Sequence, residues 1–116
     1  MRKTAEAYHR DRQGNCAQAV AHAWNVKNPG ERASVEELAG CGGGKAPGGL
    51  CGAVHASCGL AGAAAAETIK REFAEKSGGH LRCKEIRAAR KMPCGECVGL
   101  AAELLEKHGP LQKETL

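Results

Sequence analysis

Apolar residues recur along this chain at helical intervals, and no run shows the alternation of a strand. From Lys3 to Arg12, alanines and charges follow one another without a breaker, which predicts a short exposed helix that Gly14 ends. Cys16, Val20 and Trp24 then fall at i, i+4 and i+8 behind Asn15, a good N-cap residue. CAQAVAHAW therefore reads as a helix with a buried face, beginning at Cys16. Lys27 to Arg32 is a turn by composition. Ser34 with Glu37 makes a capping-box pattern, and Val35 and Leu38 give the short helix behind it one apolar side until Gly40.

From Gly40 to Cys58 the chain runs GCGGGKAPGGLCGAVHASC, a glycine loop that delivers Cys51 to an alanine-rich helix. The loop invites comparison with a phosphate-binding loop and fails it. Lys45 is followed by Ala46 instead of Ser or Thr, Ala39 stands where the first glycine belongs, and no strand precedes it. From Leu50 to Lys76 the composition predicts one helix, with Gly59 and Gly62 as close-packing points and Gly78 and Gly79 as its stop. Cys51, His55 and Cys58 would share one face of it. Leu81 to Arg90 is a short charged helix. Pro93 then suits the first position of a last helix whose apolar face carries Leu100, Leu104 and Leu105 up to His108. The expected architecture is all-α: one domain over 1–116, a helical bundle with a glycine-rich loop before a central alanine-rich helix and a loose tail at 110–116.

Only Tyr8, Trp24 and Phe73 are aromatic, so the core must be built from small side chains on closely packed helices. A homodimer or a bound metal cluster would reinforce so slight a core. The net charge is +4, densest at Arg82, Lys84, Arg87, Arg90 and Lys91. No aromatic residues interleave there, so these cations read as a solvated helix face and nucleic acid is not an expected partner. The N-terminus lacks a continuous apolar segment and no run has the length of a membrane span, so the expected location is cytoplasmic. In that compartment seven cysteines point to ligands or redox thiols in preference to structural disulfides.

Three predicted helices begin at a cysteine: Cys16, Cys51 and Cys94. Unpaired N–H groups and the positive end of the helix dipole favour a thiolate there. Any one of these cysteines alone would more often be a small buried hydrophobe, but three at helix starts suggest a shared site. Cys94 and Cys97 form a Cys-x-x-Cys, a spacing that serves both metal binding and disulfide exchange. Val98 after Cys97 excludes c-type haem attachment, and no second Cys-x-x-Cys completes a zinc ribbon. His55 is a weaker candidate ligand, beside Cys97, Cys58 and Cys41; a histidine among small residues more often bonds a neighbour or faces solvent.

NCAQAV around Cys16, the glycine loop followed by CGAV at Cys51, RCKEIR around Cys83, and Cys94 followed by Val98, Ala101 and Ala102 together resemble the C_GCAxxG_C_C family of proteins assigned a redox role. The resemblance covers residues 14–106. It implies a mostly helical protein in which Cys16, Cys51, Cys83 and Cys94 are the characteristic cysteines, acting as redox thiols or as ligands of an iron–sulfur cluster. Ala56 departs from the family pattern, which has glycine there, and Cys41, Cys58 and Cys97 are additional to it. The expected function is electron or thiol redox transfer with a partner protein. The alternative is a zinc-stabilised helical binding module without turnover, with Cys94, Cys97, Cys51 and His55 as first ligands; the plainest case has no cofactor. If Cys83 and Cys94 opened successive helices, the nine-residue helix between them would span about 14 Å, so a shared centre would need that segment to bend or unwind, or the second cysteine to come from a partner chain.

Overall fold

The computed structural model describes residues 1–28, 35–42, 46–89 and 92–108, with the main chain alone at Pro47, Cys83, Arg87 and Cys94. The protein is an all-α bundle of helices α1 (Arg2–Arg10), α2 (Cys16–Lys27), α3 (Gly52–Ala61), α4 (Ala63–Ser77), α5 (Cys83–Ala89) and α6 (Cys94–His108). Helix α6 packs against α1, α2, α3 and α4, and α2 packs against α3. Ala17, Ala19, Ala53, Ala101 and Ala102 are fully buried among Val20, Val54, Val98, Ile69, Phe73 and Leu105. Small side chains at the crossings let the helix axes approach, which is how so few aromatic residues suffice. Ser57 strengthens the α3–α6 contact by donating to the Ala101 carbonyl at 3.0 Å. Among the described residues no helix is long and apolar enough to cross a membrane.

Helix α2 starts where its cap dictates. The Asn15 side chain accepts from the Gln18 N–H at 2.8 Å, and the Gln18 side chain accepts from the Asn15 N–H at 3.0 Å. The Asn15 side-chain amide also donates to the carbonyls of Leu38 and Ala39, both at 2.9 Å. One residue therefore caps the helix that carries Cys16 and pins the loop that leads to Cys41. The predicted helix at Val35–Leu38 is only a 3-10 turn over Glu36–Leu38. The Ser34 cap, the turn beyond Asn28, residues 43–45 of the glycine loop, residues 90–91 and the tail from 109 onward lie outside the described residues.

The helix expected from Leu50 to Lys76 is two helices, not one. Gly62 adopts φ 91° and ψ 163°, a region essentially reserved for glycine, and it separates α3 from α4. The two pack on each other, so the break folds one apolar stretch back on itself. Gly59 and Gly62 are not close-packing points: a Cβ on either would meet nothing within 4 Å. Gly78 ends α4 as expected. Pro93 lies just before the first residue of α6, where its carbonyl accepts from the N–H groups of Glu96 and Cys97 at 3.0 and 3.1 Å. An isolated antiparallel bridge pairs Leu50 with Arg82, and no strand accompanies it among the described residues.

Candidate functional site

Four helices open at or beside a cysteine. Cys16 is the first residue of α2, Cys51 is the N-cap of α3, and Cys83 and Cys94 are the first residues of α5 and α6. The starts of α2, α3 and α6 bring three thiols together inside the bundle: Cys16, Cys51 and Cys97 are 6 %, 5 % and 2 % exposed. Cys51 stands in the middle of the row, hydrogen-bonded to both Cys16 and Cys97.

The row shares protons unequally. Contact with Cys16 and then with Cys97, reinforced by burial, holds the Cys51 thiol protonated well above its ordinary value. The Val54 N–H in the first turn of α3 pulls weakly the other way, although Cys51 makes no full capping hydrogen bond. Cys97 moves downward, chiefly because the Cys51 S–H donates to its thiolate, and against the opposing effect of burial. Three adjacent buried thiols cannot all ionise, so ionisation is eased at Cys97 while Cys51 is held to its proton. As a thiol, Cys97 instead points its S–H at the Met92 carbonyl, 3.9 Å away.

Close approach of main chain makes the row fit. A Cβ on Gly52, the first residue of α3, would lie 2.6 Å from Cys16 Sγ and 2.5 Å from the Cys41 carbonyl oxygen. Only the absence of a side chain lets the Cys16 sulfur and the Cys41 loop both rest on the start of α3. The Cys51 N–H donates to the Leu81 carbonyl at 2.8 Å. With the Leu50–Arg82 bridge, this contact sets the start of α5, and so the main chain of Cys83, beside the residue that caps α3. The main chain of Cys83 thus begins α5 two residues beyond the Leu81 carbonyl that Cys51 bonds.

Of the sequence candidates, Cys16 and Cys51 come together, while the side chains of Cys83 and Cys94 are outside the description. Cys97, which the family resemblance leaves without a role, is a full member of the row. Its signal was present in the sequence: Cys97, Ala101, Leu104 and Leu105 fall at i, i+4, i+7 and i+8 on the buried face of α6. Cys58 does not belong to the row, because its thiol donates to the Ala66 carbonyl of α4 at 3.7 Å and burial raises its pKa. Cys51, His55 and Cys58 keep their expected spacing, Cys51 as the N-cap of α3 and His55 and Cys58 within it. Cys41 is half-buried and packs against the core. Cys41, Cys51, Cys58 and Cys97 are free thiols.

Among the described residues no group of three or more His, Cys, Asp or Glu side chains is arranged to hold a metal ion. Comparison of the chain with protein-family models, curated proteins and solved structures returns no match.

Proposed function

We propose that this protein is a thiol redox protein whose Cys16–Cys51–Cys97 row cycles between free thiols and a disulfide in exchange with a partner protein. The observation that carries this reading is the position of Cys51, in hydrogen-bonding contact with a thiol on either side. Disulfide exchange requires a thiolate that attacks a disulfide sulfur, and contact with Cys51 eases the ionisation of Cys97 beside the sulfur it would attack. When Cys51 is in a mixed disulfide, the Cys97 thiolate attacks Cys51 Sγ, the Cys51–Cys97 bond forms, and the previous partner sulfur leaves as a thiolate that takes up a proton. Overall, two thiols of the row lose two electrons and two protons, and a disulfide of the partner becomes two thiols. The resemblance of NCAQAV and CGAV to a redox family supports the same class of chemistry.

Equilibration in mixtures of reduced and oxidised dithiothreitol, followed by thiol counting and peptide mapping, tests the reading. Reversible loss of two thiols with a bond that includes Cys51 is the expected result. A thiol count that stays constant across the whole series overturns it.

A second reading draws on the four helix-start cysteines: an iron–sulfur cluster on Cys16, Cys51, Cys83 and Cys94, a set of thiolates in number sufficient for such a cluster. Helix N-termini would offset part of its negative charge. Iron, labile sulfide and broad visible absorption in protein kept from air would establish it. Stoichiometric zinc, with unfolding on chelation, would instead favour the zinc-stabilised module.

A further inference from the structure

The row is buried, so a large disulfide partner has no direct route to it, and the main chain of Cys41 comes up against the Cys16 end of it. Cys41 packs against the core that contains Cys16 and Cys51, yet it remains partly open to solvent. Its carbonyl oxygen and Cys16 Sγ lie within 2.5 and 2.6 Å of one point, the missing Cβ of Gly52. The two atoms are therefore no more than about 5 Å apart, which sets the Cys41 main chain against the Cys16 sulfur. Asn15, the residue immediately before Cys16, holds the Cys41 loop in place through the carbonyls of Leu38 and Ala39. The Cys41 N–H closes the turn onto the Leu38 carbonyl at 3.0 Å. Cys58, the other half-buried thiol, is committed to α4 through Ala66 and has no such link to the row.

We propose that Cys41 is the gateway thiol that passes oxidising and reducing equivalents between a partner's disulfide and Cys16; the inference rests on the thiol redox reading above. With a small disulfide, the Cys41 thiolate attacks one sulfur, the disulfide breaks, a mixed disulfide forms on Cys41 and one thiolate leaves. Cys16 then attacks Cys41 Sγ, releasing the second thiolate and forming a Cys16–Cys41 bond. Cys51 attacks Cys16 Sγ and frees Cys41, and Cys97 attacks Cys51 Sγ and frees Cys16. The disulfide ends inside the row as Cys51–Cys97, two protein thiols have been oxidised, and one external disulfide has been reduced to two thiols. Each attacking thiol gives up its proton and each departing thiolate regains one.

Full-length protein mixed with oxidised glutathione, quenched by acid at intervals and mapped by mass spectrometry, tests this. The wild-type chain is expected to show a transient glutathione adduct on Cys41 followed by a disulfide within the row. In C41S, with C41A as a second variant, row oxidation is expected to slow by about tenfold or more, because the buried sulfurs lose their accessible relay. In C16S the glutathione adduct on Cys41 should persist, and C58S should behave as wild type. Row oxidation at the wild-type rate in both Cys41 variants, or a first adduct on a row cysteine, overturns the gateway while leaving the redox reading intact. A wild-type row that never oxidises overturns both.

Discussion

The sulfur of Cys16 lies 2.6 Å from the point at which Gly52 would carry a Cβ. A side chain at that position must displace either a thiol or the main chain of Cys41, because the carbonyl of Cys41 crowds the same point at 2.5 Å. Gly52→Ala is therefore expected to destabilise the fold by about 1–3 kcal/mol, as overpacking does, despite the better helix propensity of alanine. Urea titration measures the loss. The same variant should shift the Cys16–Cys51 contact, and the yield of a row disulfide should fall with it.

The protonation of the row predicts a stability profile at alkaline pH. Cys51 is raised above its ordinary value of 9.0 in the folded chain. Its contribution is thus fully present below the unfolded value and lost as pH rises beyond it, since the unfolded chain releases the proton that the folded chain keeps. Stability should decline as pH climbs past the ordinary thiol range, and C51S should flatten that decline. Cys97, lowered in the folded chain, acts in the opposite sense: it contributes above the unfolded value and its contribution fades as pH falls through the lowered one. Denaturant midpoints of wild type, C51S and C97S over an alkaline pH series separate the two.

Glu106 ties the far end of the bundle. It pairs with Lys27 of α2 and, at 3.1 Å, with the Met1 ammonium at the start of α1. Lys27 first, and the chain terminus after it, lower the Glu106 pKa. The pairs are partly exposed, so Glu106→Gln is expected to lose only about 0.2–1 kcal/mol for each. The sign follows from the downward shift: the contribution is present above the unfolded value of 4.5 and disappears as pH falls through the folded one. Wild type and E106Q should therefore differ in urea midpoint near neutrality and converge in acid.

Gly62 should be the least replaceable residue of the α3–α4 corner. An alanine there meets no steric neighbour, so any effect comes from the main chain alone. Holding a residue with a side chain at φ 91° and ψ 163° is expected to cost about 1–3 kcal/mol. Thermal melting of G62A checks this, and a melting temperature equal to wild type would contradict it.

The thiols at the helix starts could be read from the sequence because the signals are local. Asn15 and Gln18 form their capping box within four residues, Pro93 precedes α6, and Gly78 ends α4, so each start and stop depends on chemistry close along the chain. The all-α class and the core of small residues follow for the same reason, from periodicity and from the scarcity of aromatic side chains. The break at Gly62 was not legible, since a glycine amid alanines is compatible with a continuing helix. It becomes a corner only because Ile69 and Phe73 of α4 must reach the same core as Val54 of α3.

The stretch around Cys51 shows where that limit falls. The sequence by itself determined that a glycine-flanked cysteine would open a helix, and that other cysteines would do the same elsewhere. Which thiols meet was decided by tertiary structure, because it depends on the rotation of α6 about its axis and on the approach of α2 to Gly52. That rotation is set by Val98, Ala101 and Leu105, all fully buried, and it turns Cys97 into the row with Cys51. Cys58, by contrast, is drawn to the Ala66 carbonyl by the fold of α4 back onto α3. Helix starts are properties of a few neighbouring residues, whereas the company a sulfur keeps is a property of how whole helices pack.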